Sequence, residues 1–278
     1  MRIYSGHDVT VLMSVYKNTI LEEFLLALES ITVKQTISPK SVVIVVDGPV
    51  DSTMQRMLKE TSDIVNVIFL QENSGLANAL SIGLSYVDTD LVVRMDSDDI
   101  SRPFRIEMQL EKFNSCDELG VLGGSVREFS LIPGDGNLVR EMPESDADIR
   151  DFLKMRNPFN HPTVMFKKDV VVKAGSYQEM GLFEDYFLWA RIALNHDVKL
   201  LNVTNVLVDM RAGEGMYARR GGKGYLLTAF RLRVFMLQMG LAGFTDFVQG
   251  MTVNFLSILL PTKLRKTVYS NFLRGKVD

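Results

Sequence analysis

Residues 91–99 have the sequence LVVRMDSDD, an apolar run that ends in Asp96, Asp98 and Asp99. The apolar part predicts a buried strand. Alternate side chains of an extended segment point the same way, so Asp96 and Asp98 can converge on one ligand. Crowded carboxylates repel one another unless a cation neutralises them. The stretch therefore predicts a sheet strand with a divalent-cation site at its carboxyl end.

This predicted site offers oxygen ligands only. One strand end supplies too few oxygen ligands to enclose a metal ion completely. Such an open site suits Mg2+ or Mn2+ that arrives bound to a diphosphate. An acidic turn that caps a helix is the alternative. A helical pattern is expected over 100–113, with Pro103 in its first turn, and Asp98 and Asp99 precede it directly. The sequence leaves both interpretations open.

Three further apolar runs, rich in β-branched residues, precede this strand at 9–16, 41–47 and 65–71. Nearly continuous apolarity is typical of strands that are buried on both faces of a parallel sheet. Helical patterns separate the runs, at 20–34, 51–61 and 76–87. This alternation predicts a doubly wound α/β domain, in which helices flank a mainly parallel sheet.

Polar residues follow every one of these predicted strands. The carboxyl ends of parallel strands meet at one edge of the sheet, and such sheets bind their ligands there. Turn formation alone explains each polar group singly, since Asp-Gly and Asn-Ser-Gly are common in loops. Their shared edge favours a ligand site. The groups are Tyr16 and Lys17, Asp47 and Gly48, residues 72–75, and residues 96–99.

The second half of the chain contains one more acidic pair. Residues 180–195, MGLFEDYFLWARIALN, predict a helix with Leu188, Trp189 and Ile192 as its buried stripe. Glu184 and Asp185 fall in its first turn, where the helix dipole stabilises carboxylates. Helix capping is therefore an alternative to a catalytic role for this pair.

Two other features of the sequence bear on the site. Arg94 lies inside the apolar strand, two residues before Asp96, and a buried guanidinium needs a charged partner, so we expect it to pair with a carboxylate. Residues 157–168, NPFNHPTVMFKK, place a His-Pro loop before another apolar strand. For His161, a hydrogen bond within the scaffold is as consistent with the sequence as a place near a substrate.

The formal net charge of −3 is divided unevenly along the chain. Residues 211–278 contain 11 Lys/Arg and 3 Asp/Glu, a net charge of +8, which leaves −11 for residues 1–210. The longest apolar stretch of this tail, 247–260, is shorter than the roughly 18 residues of a membrane span. We expect a helical, basic and apolar extension on an anionic membrane surface. A helix packed on the core is the alternative.

Composition also limits the cellular setting. The single cysteine, Cys116, excludes internal disulfides and suits a reducing compartment. The first residues, MRIYSGHD, contain no apolar signal region, and the tail contains no recognised nucleic-acid motif. The expected location is the cytoplasm, at the cytoplasmic face of the membrane, without a nucleic-acid partner.

Five motifs in order resemble the inverting glycosyltransferases of family 2, which have the GT-A fold. They are VTVLMSVYKN, VVIVVDGP, ENSGLANALSIGL, RMDSDD and FEDYFLWARI, and the resemblance covers residues 8–210. The resemblance implies a nucleotide-sugar-binding and catalytic domain over residues 1–210 and an extension over 211–278. It also implies transfer of a hexose from a UDP-sugar to a hydroxyl of an acceptor, which similar short bacterial members carry on a lipid diphosphate in O-antigen or capsule synthesis.

The resemblance also implies roles for individual residues. Asp185 would be the catalytic base, supported by Glu184. Asp98 and Asp96 would bind Mn2+ or Mg2+. The UDP-sugar would be bound by Val15, Tyr16, Asp47, Asn73, Gly75, Asn78, Asp96 and Asp99.

Two other functions fit parts of the pattern. A sugar nucleotidylyltransferase also uses nucleotide, sugar and metal, but it needs a glycine-rich basic loop after the first strand. Residues 14–23, SVYKNTILEE, lack those glycines. A noncatalytic nucleotide-sugar sensor or assembly partner would keep the fold, and detectable sugar transfer would exclude it.

Overall fold

A computed structural model describes residues 2–136, 138–212, 223–259 and 275–276. Its strands are β1 (Val9–Val15), β2 (Ser41–Val46), β3 (Val65–Phe69), β4 (Leu91–Arg94), β5 (Ile100–Ser101), β6 (Leu119–Phe129), β7 (Leu138–Arg140), β8 (Met165–Lys167), β9 (Lys199–Arg211) and β10 (Gly275–Lys276). Its α-helices are α1 (Leu21–Ile31), α2 (Ser52–Lys59), α3 (Leu76–Ser85), α4 (Arg105–Ser115), α5 (Asp146–Leu153), α6 (Lys168–Lys173), α7 (Glu184–Ile192), α8 (Lys223–Gln238) and α9 (Phe244–Leu259). Short 3-10 turns cover Gly6–Asp8, His161–Thr163 and Gly181–Phe183.

The first half of the chain forms the predicted parallel sheet. β1 pairs in parallel with β2 and with β4, and β2 pairs in parallel with β3. β1, β2 and β4 are buried along almost their whole length, which explains their unbroken apolar sequence. Helices α1, α2 and α3 connect these strands, so the doubly wound α/β prediction is confirmed for this half.

The second half extends the same sheet with antiparallel strands. The order along the main path is β10-β7-β6-β8-β4-β1-β2-β3. β8 lies between β4 and β6 and runs antiparallel to both. β9 pairs in parallel with β6 over its full length, with register shifts near Gly124 and Ser125, and its end also pairs with β5. The antiparallel β5–β9 pair thus brings Arg211 next to the acidic loop that follows β4.

The helix predicted over residues 100–113 begins later than expected. Residues 100 and 101 form strand β5, paired with Asp209 and Val208 of β9, and helix α4 begins only at Arg105. Phe104 precedes that helix and makes no side-chain cap. Pairing with a distant strand overrode the local helical pattern. Asp98 and Asp99 therefore do not cap α4, and the capping alternative for the acidic loop is excluded.

The described part of the C-terminal extension packs on the core. Leu232 and Met236 of α8 are buried in the same apolar cluster as Trp189 of α7, and Phe187 meets Phe235 edge to face at 4.9 Å between ring centroids. Helix α9 folds back on α8. Among the described residues, no helix combines the length and apolarity that crossing a bilayer requires. The division of the chain at residue 210 stays a prediction, and β9 crosses that point by one residue.

The approach of α3 to the sheet depends on Gly83. A Cβ atom at Gly83 would lie 2.6 Å from Leu12 Cδ1 and 2.7 Å from Val45 Cγ2, so only a hydrogen fits between the helix and strands β1 and β2. Because α3 begins directly after the 73–75 loop, this close packing fixes the position of that loop above the sheet.

We expect Gly83→Ala to destabilise the protein by about 1–3 kcal/mol, because the added methyl group overpacks a filled core. Gly224→Ala is the matched control, since a Cβ at this helical glycine meets no atom within 4 Å. The control should be neutral or stabilise by up to about 1 kcal/mol. Urea unfolding measures both. Equal stability of the two variants would contradict the close-packing account.

Candidate active site

The predicted site residues of the parallel strands meet at one edge of the sheet. Val15 ends β1 opposite Val46 of β2, so Tyr16 and Asp47 follow neighbouring strands at the same level. Val15 and Asp47 are buried, whereas Tyr16 is exposed. Asp96 follows β4 on the other side of β1. Parallel pairing alone therefore collects these residues at the carboxyl edge.

Asp47 organises the loop that precedes α3. One carboxylate oxygen accepts hydrogen bonds from the backbone N–H of Ser74 at 2.7 Å and from its hydroxyl at 3.0 Å. The other accepts from Asn73 Nδ2 at 2.9 Å and from the backbone N–H of Gly75 at 3.0 Å. These four bonds give the buried carboxylate its partners and hold the ends of β2 and β3 together.

This loop presents an exposed polar surface at the start of α3. Gly75 is the N-cap residue and has φ +87°, a left-handed conformation that favours glycine. Asn73, Gly75 and Asn78 are all exposed. A helix N-terminus attracts anions because its first N–H groups lack partners within the helix and its dipole is positive there. The surface has the chemistry to receive a phosphate group.

The acidic loop after β4 holds three carboxylates in different surroundings. Asp96 forms an ion pair with Arg94, as expected, and its side chain is 36% exposed. Burial, together with the negative charges of Asp96 and Glu23, raises the pKa of Asp98 to about 6. Asp99 is buried, and burial with the charges of Asp96 and Asp98 raises its pKa well above the usual range. The loop is an electronegative centre that a cation would relieve.

Arg211, which the sequence placed only in the basic tail, fixes this loop. Its backbone N–H donates to Asp99 Oδ1 at 2.7 Å, and its Nε donates to the carbonyl oxygen of Asp98 at 3.2 Å. Its guanidinium also pairs with Glu23 of α1 at 3.4 Å and lies over the ring of Phe129. No local signal in the sequence links residue 211 to residue 98, because β9 brings them together.

The acidic loop fits a metal that arrives with a phosphate ligand. In the part of the chain that the structure describes, no group of three or more His, Cys, Asp or Glu side chains is arranged to hold an ion. Asp99 Oδ2 is buried without a hydrogen-bond partner among those residues, and the pKa of Asp98 is raised by burial and like charge. Two or three carboxylate oxygens with additional ligands from a diphosphate and water suit Mg2+ or Mn2+.

The second acidic pair begins helix α7, as predicted. Asp185 Oδ2 accepts a hydrogen bond from Asn157 Nδ2 at 2.6 Å, and Oδ1 accepts from the backbone N–H of Tyr186 at 2.7 Å. Asn157 begins the NPFNHP stretch, but its link to residue 185 could not be predicted from spacing. The amide fixes the orientation of a carboxylate that remains partly exposed.

Glu184 is half-buried beside Asp185. Its Oε2 is buried without a hydrogen-bond partner among the described residues. Burial and the charge of Asp185 raise its pKa to about 7, with a smaller raising effect from Asp96 and a lowering effect from Arg94. Asp96 and Arg94 act on Glu184 through space, so the acidic loop and the start of α7 face the same region.

His161 belongs to the scaffold beside this region. Its Nε2 lies 3.1 Å from the hydroxyl of Tyr177, and its ring meets Trp189 edge to face. Burial, followed by the positive charge of Arg94, lowers its pKa well below the usual range. A neutral, hydrogen-bonded histidine is what the scaffold interpretation predicts.

A family model, Glycosyl transferase family 2, matches residues 10–172, more than half of the chain. The chain belongs to this family. It is a family 2 glycosyltransferase, and its mixed sheet with flanking helices is the GT-A architecture. The matched residues include β1 except for its first residue, β2, β3, β4, the 73–75 loop and the acidic loop.

Similar bacterial proteins cover nearly the whole chain. The UDP-Gal:alpha-D-GlcNAc-diphosphoundecaprenol beta-1,3-galactosyltransferase of Escherichia coli is 34% identical over 250 residues, which are 89% of this chain and 90% of that protein. The amylovoran biosynthesis glycosyltransferase AmsE of Erwinia amylovora is 35% identical over 269 residues, which are 96% of this chain and 99% of that protein.

Solved structures support the fold. The mannosyltransferase PcManGT of Pyrobaculum calidifontis, in complex with GDP-Man and Mn2+, has a TM-score of 0.63 at 16% identity, over 99% of this chain and 77% of that one. TarS 1-349 of S. aureus, in complex with UDP-GlcNAc, has a TM-score of 0.63 at 18% identity, over 83% of this chain and 66% of that one. At such identities the likeness shows the architecture alone.

The raised pKa of Glu184 predicts how stability depends on pH. Because its pKa rises from 4.5 to about 7 on folding, the stability from this group is full below about pH 4.5 and is lost as pH rises through 7. Glu184→Gln should therefore stabilise the protein at pH 8 by about 1–2 kcal/mol. This value is smaller than the full pKa shift would give, because water partly screens the charge of Glu184. At pH 5 the gain should be small.

Denaturant unfolding at pH 5 and pH 8 measures this difference. Glu179→Gln, at an exposed position on the segment before α7, is the matched control and should show no such pH dependence. A Glu184→Gln gain that is equal at both pH values would show that Glu184 is not held in its protonated form.

Proposed function

We propose that this protein transfers a hexose from a UDP-sugar to a hydroxyl of a lipid-diphosphate-linked sugar, with inversion at the anomeric carbon, in the synthesis of a bacterial surface polysaccharide. The observation that carries the proposal is that residues 157–164 contact both carboxylate groups: Val164 accepts from the backbone N–H of Arg94, which pairs with Asp96, and Asn157 donates to Asp185 at the start of α7. The similarity to the E. coli galactosyltransferase supports the substrate classes.

The donor nucleotide is bound along the ends of β1, β2 and β3. Val15 and Tyr16 flank the nucleotide, and Asp47 accepts a hydrogen bond from the base or holds the 73–75 loop in the binding conformation. Asn73, Gly75 and Asn78 line the nucleotide side, where the N-terminus of α3 favours phosphate. The exposure of these three residues supports this assignment.

The acidic loop holds the diphosphate end of the donor. Asp98 and Asp96 would hold a Mn2+ or Mg2+ ion, which when bound would neutralise charge on the leaving diphosphate. Asp96 also reaches the ribose, and Asp99 keeps the loop shaped through its bond to the backbone of Arg211. The raised pKa of Asp98 supports a site that is built for a cation.

Asp185 is the general base of the proposed reaction. It takes the proton of the acceptor hydroxyl while that oxygen forms a bond to the anomeric carbon. The bond from this carbon to the diphosphate oxygen breaks, and the electron pair leaves with UDP. The 2.6 Å hydrogen bond from Asn157 orients the carboxylate, and Glu184 is the supporting carboxylate beside it. A positioned base contributes about 10²- to 10⁴-fold in rate.

The acceptor is proposed to lie in the cytoplasmic leaflet of the inner membrane, with the protein bound peripherally. The sequence that follows α9 includes Lys263, Arg265 and Lys266, and it contains no acidic residue before Asp278. Exposed apolar side chains on α8 and α9, such as Phe230, Phe244 and Phe255, support contact with lipid. Each cation near an anionic surface contributes about 1 kcal/mol.

The two carboxylate groups have separable roles in this proposal. Asp98→Ala should abolish metal-dependent binding of the donor, because the diphosphate loses its metal. Asp185→Asn should keep donor affinity within about 3-fold and lower transfer by at least about 10²-fold, because only the base is lost. Calorimetric titration with a panel of nucleotide-sugars, in Mn2+ and then in excess chelator, measures binding, and release of UDP measures transfer.

Asp63→Ala is the control for Asp98→Ala, since Asp63 is exposed on the loop before β3. Equal loss of donor binding in the Asp98 and Asp185 variants would refute the division of roles. If a folded wild-type protein binds no nucleotide-sugar, the glycosyl-transfer proposal fails. If it binds but no acceptor is glycosylated, the sensor alternative gains support.

Membrane binding is tested by charge removal rather than by deletion, because deletion of α8 would expose the core. The tail variant combines Lys263→Gln, Arg265→Gln and Lys266→Gln in one full-length chain. It should reduce pelleting with vesicles that contain phosphatidylglycerol by at least about 10-fold, in line with three cations at about 1 kcal/mol each.

The control removes three exposed lysines elsewhere, Lys59, Lys112 and Lys173, each replaced by Gln. It changes the net charge equally and should pellet like the wild type at low ionic strength. Equal loss of pelleting in both triple variants would show that vesicle binding depends on net charge alone and not on the position of the cations in the tail. Unchanged pelleting of the tail variant would reject the membrane role of the tail.

A further inference from the structure

Arg94 is a buried cation at the base of the candidate site. It is the last residue of β4, 3% exposed, and its backbone N–H donates to Val164 while its carbonyl accepts from Arg105. The backbone is thus fixed on both sides. Such a position normally holds an apolar side chain, because a buried guanidinium is costly unless it is well paired.

Arg105 shows how a purely structural arginine is accommodated nearby. Its Nη2 donates to the carbonyl of Arg94 at 2.8 Å, and its Nε donates to Gln109 at 3.2 Å. It ties α4 to the end of β4. Arg94 differs, since it pairs through Nη2 with Asp96, while its Nε and Nη1 are buried without a hydrogen-bond partner among the described residues.

The pairing constrains the carboxylate of Asp96. Arg94 Nη2 contacts Asp96 Oδ1, so one oxygen is directed toward the buried guanidinium. The Asp96 side chain remains 36% exposed, which leaves the second oxygen for a ligand. A carboxylate held through one oxygen loses less conformational entropy when the other oxygen binds a ligand.

The charge of Arg94 also acts on the other acidic pair. It opposes the rise in pKa of Glu184, and it acts in the same direction on Asp98 and Asp99. The charged groups that act on Glu184 include Asp185, Arg94 and Asp96, and Glu184 in turn acts on the nearby Tyr177. Arg94 is therefore a cation whose charge lowers the pKa of carboxyl groups both in the acidic loop and at the start of α7.

We propose that Arg94 is a positioning residue for the transfer reaction: it holds one oxygen of Asp96 and thereby orients the other oxygen toward the donor diphosphate. This inference rests on the proposed function. It assigns no contact between Arg94 and the substrate. Its effect on the donor passes through Asp96.

A double-mutant cycle between Arg94 and Asp96 tests the inference in the full-length protein. The probe is UDP with Mn2+, since every UDP-sugar contains UDP, and the dissociation constant is measured by calorimetry. Arg94→Gln should weaken binding at least about 10-fold. In the Asp96→Asn background the same change should add less than about 2-fold, because the carboxylate that Arg94 orients is already gone.

Rescue and a control separate positioning from general stability. Arg94→Lys keeps a positive charge and should bind UDP with Mn2+ within about 3-fold of the wild type. Arg102→Gln removes a different ion pair, with Asp209 at 2.7 Å, and should leave the affinity within about 2-fold. UDP binding in excess chelator should be the same for the wild type and Arg94→Gln.

The outcomes separate this inference from the proposed function. If the wild type does not bind UDP with Mn2+, the proposed function fails. If it binds and the effects of the Arg94 and Asp96 changes multiply, Arg94 acts independently of Asp96 and the inference is wrong. Should Arg94→Gln not fold, Arg94→Lys decides: affinity within about 3-fold supports the inference, and a larger loss overturns it.

Discussion

The burial of negative charge at the carboxyl edge of the sheet is the constraint on which the site depends. Asp96, Asp98 and Asp99 follow one buried strand, and Asp96 acts on the pKa of Glu184 at the start of α7. Like charges in a partly desolvated region raise one another's pKa and would destabilise the fold if nothing opposed them. The protein opposes them with Arg94 below the loop, with the backbone N–H of Arg211 beside it, and with the amide of Asn157 at Asp185.

These partners balance only part of the negative charge of the five carboxyl groups. Burial and neighbouring negative charges raise the pKa of Asp98 to about 6 and that of Glu184 to about 7. Both carboxyl groups therefore hold a proton more readily than an exposed carboxyl group does. A divalent cation with a diphosphate would add positive charge at the acidic loop. The repulsion between crowded carboxylates would thereby be converted into affinity for a cation.

The two sides of the site are built by different means. The side proposed to bind the nucleotide is made by the parallel sheet: Asp47 accepts four hydrogen bonds from residues 73–75, between β3 and α3, and thereby shapes the start of α3. The other side depends on long-range packing. Helix α7 carries Asp185, and its buried face packs on α8, where Phe235 meets Phe187. The first part of the C-terminal extension is thus a support for the proposed base.

The sequence by itself determined the parallel half of the fold and the residues of the acidic clusters. Continuous apolar runs require burial on both faces, and polar residues at the strand ends then share an edge. It also predicted that Arg94 pairs with a carboxylate. The assigned roles of the site residues remain proposals. Only the tertiary structure decided that residues 100 and 101 form a strand, that Arg211 holds the acidic loop, that Asn157 orients Asp185, and that α8 packs on the core. Each of these depends on contacts between residues that are far apart in sequence, where neither periodicity nor spacing carries information.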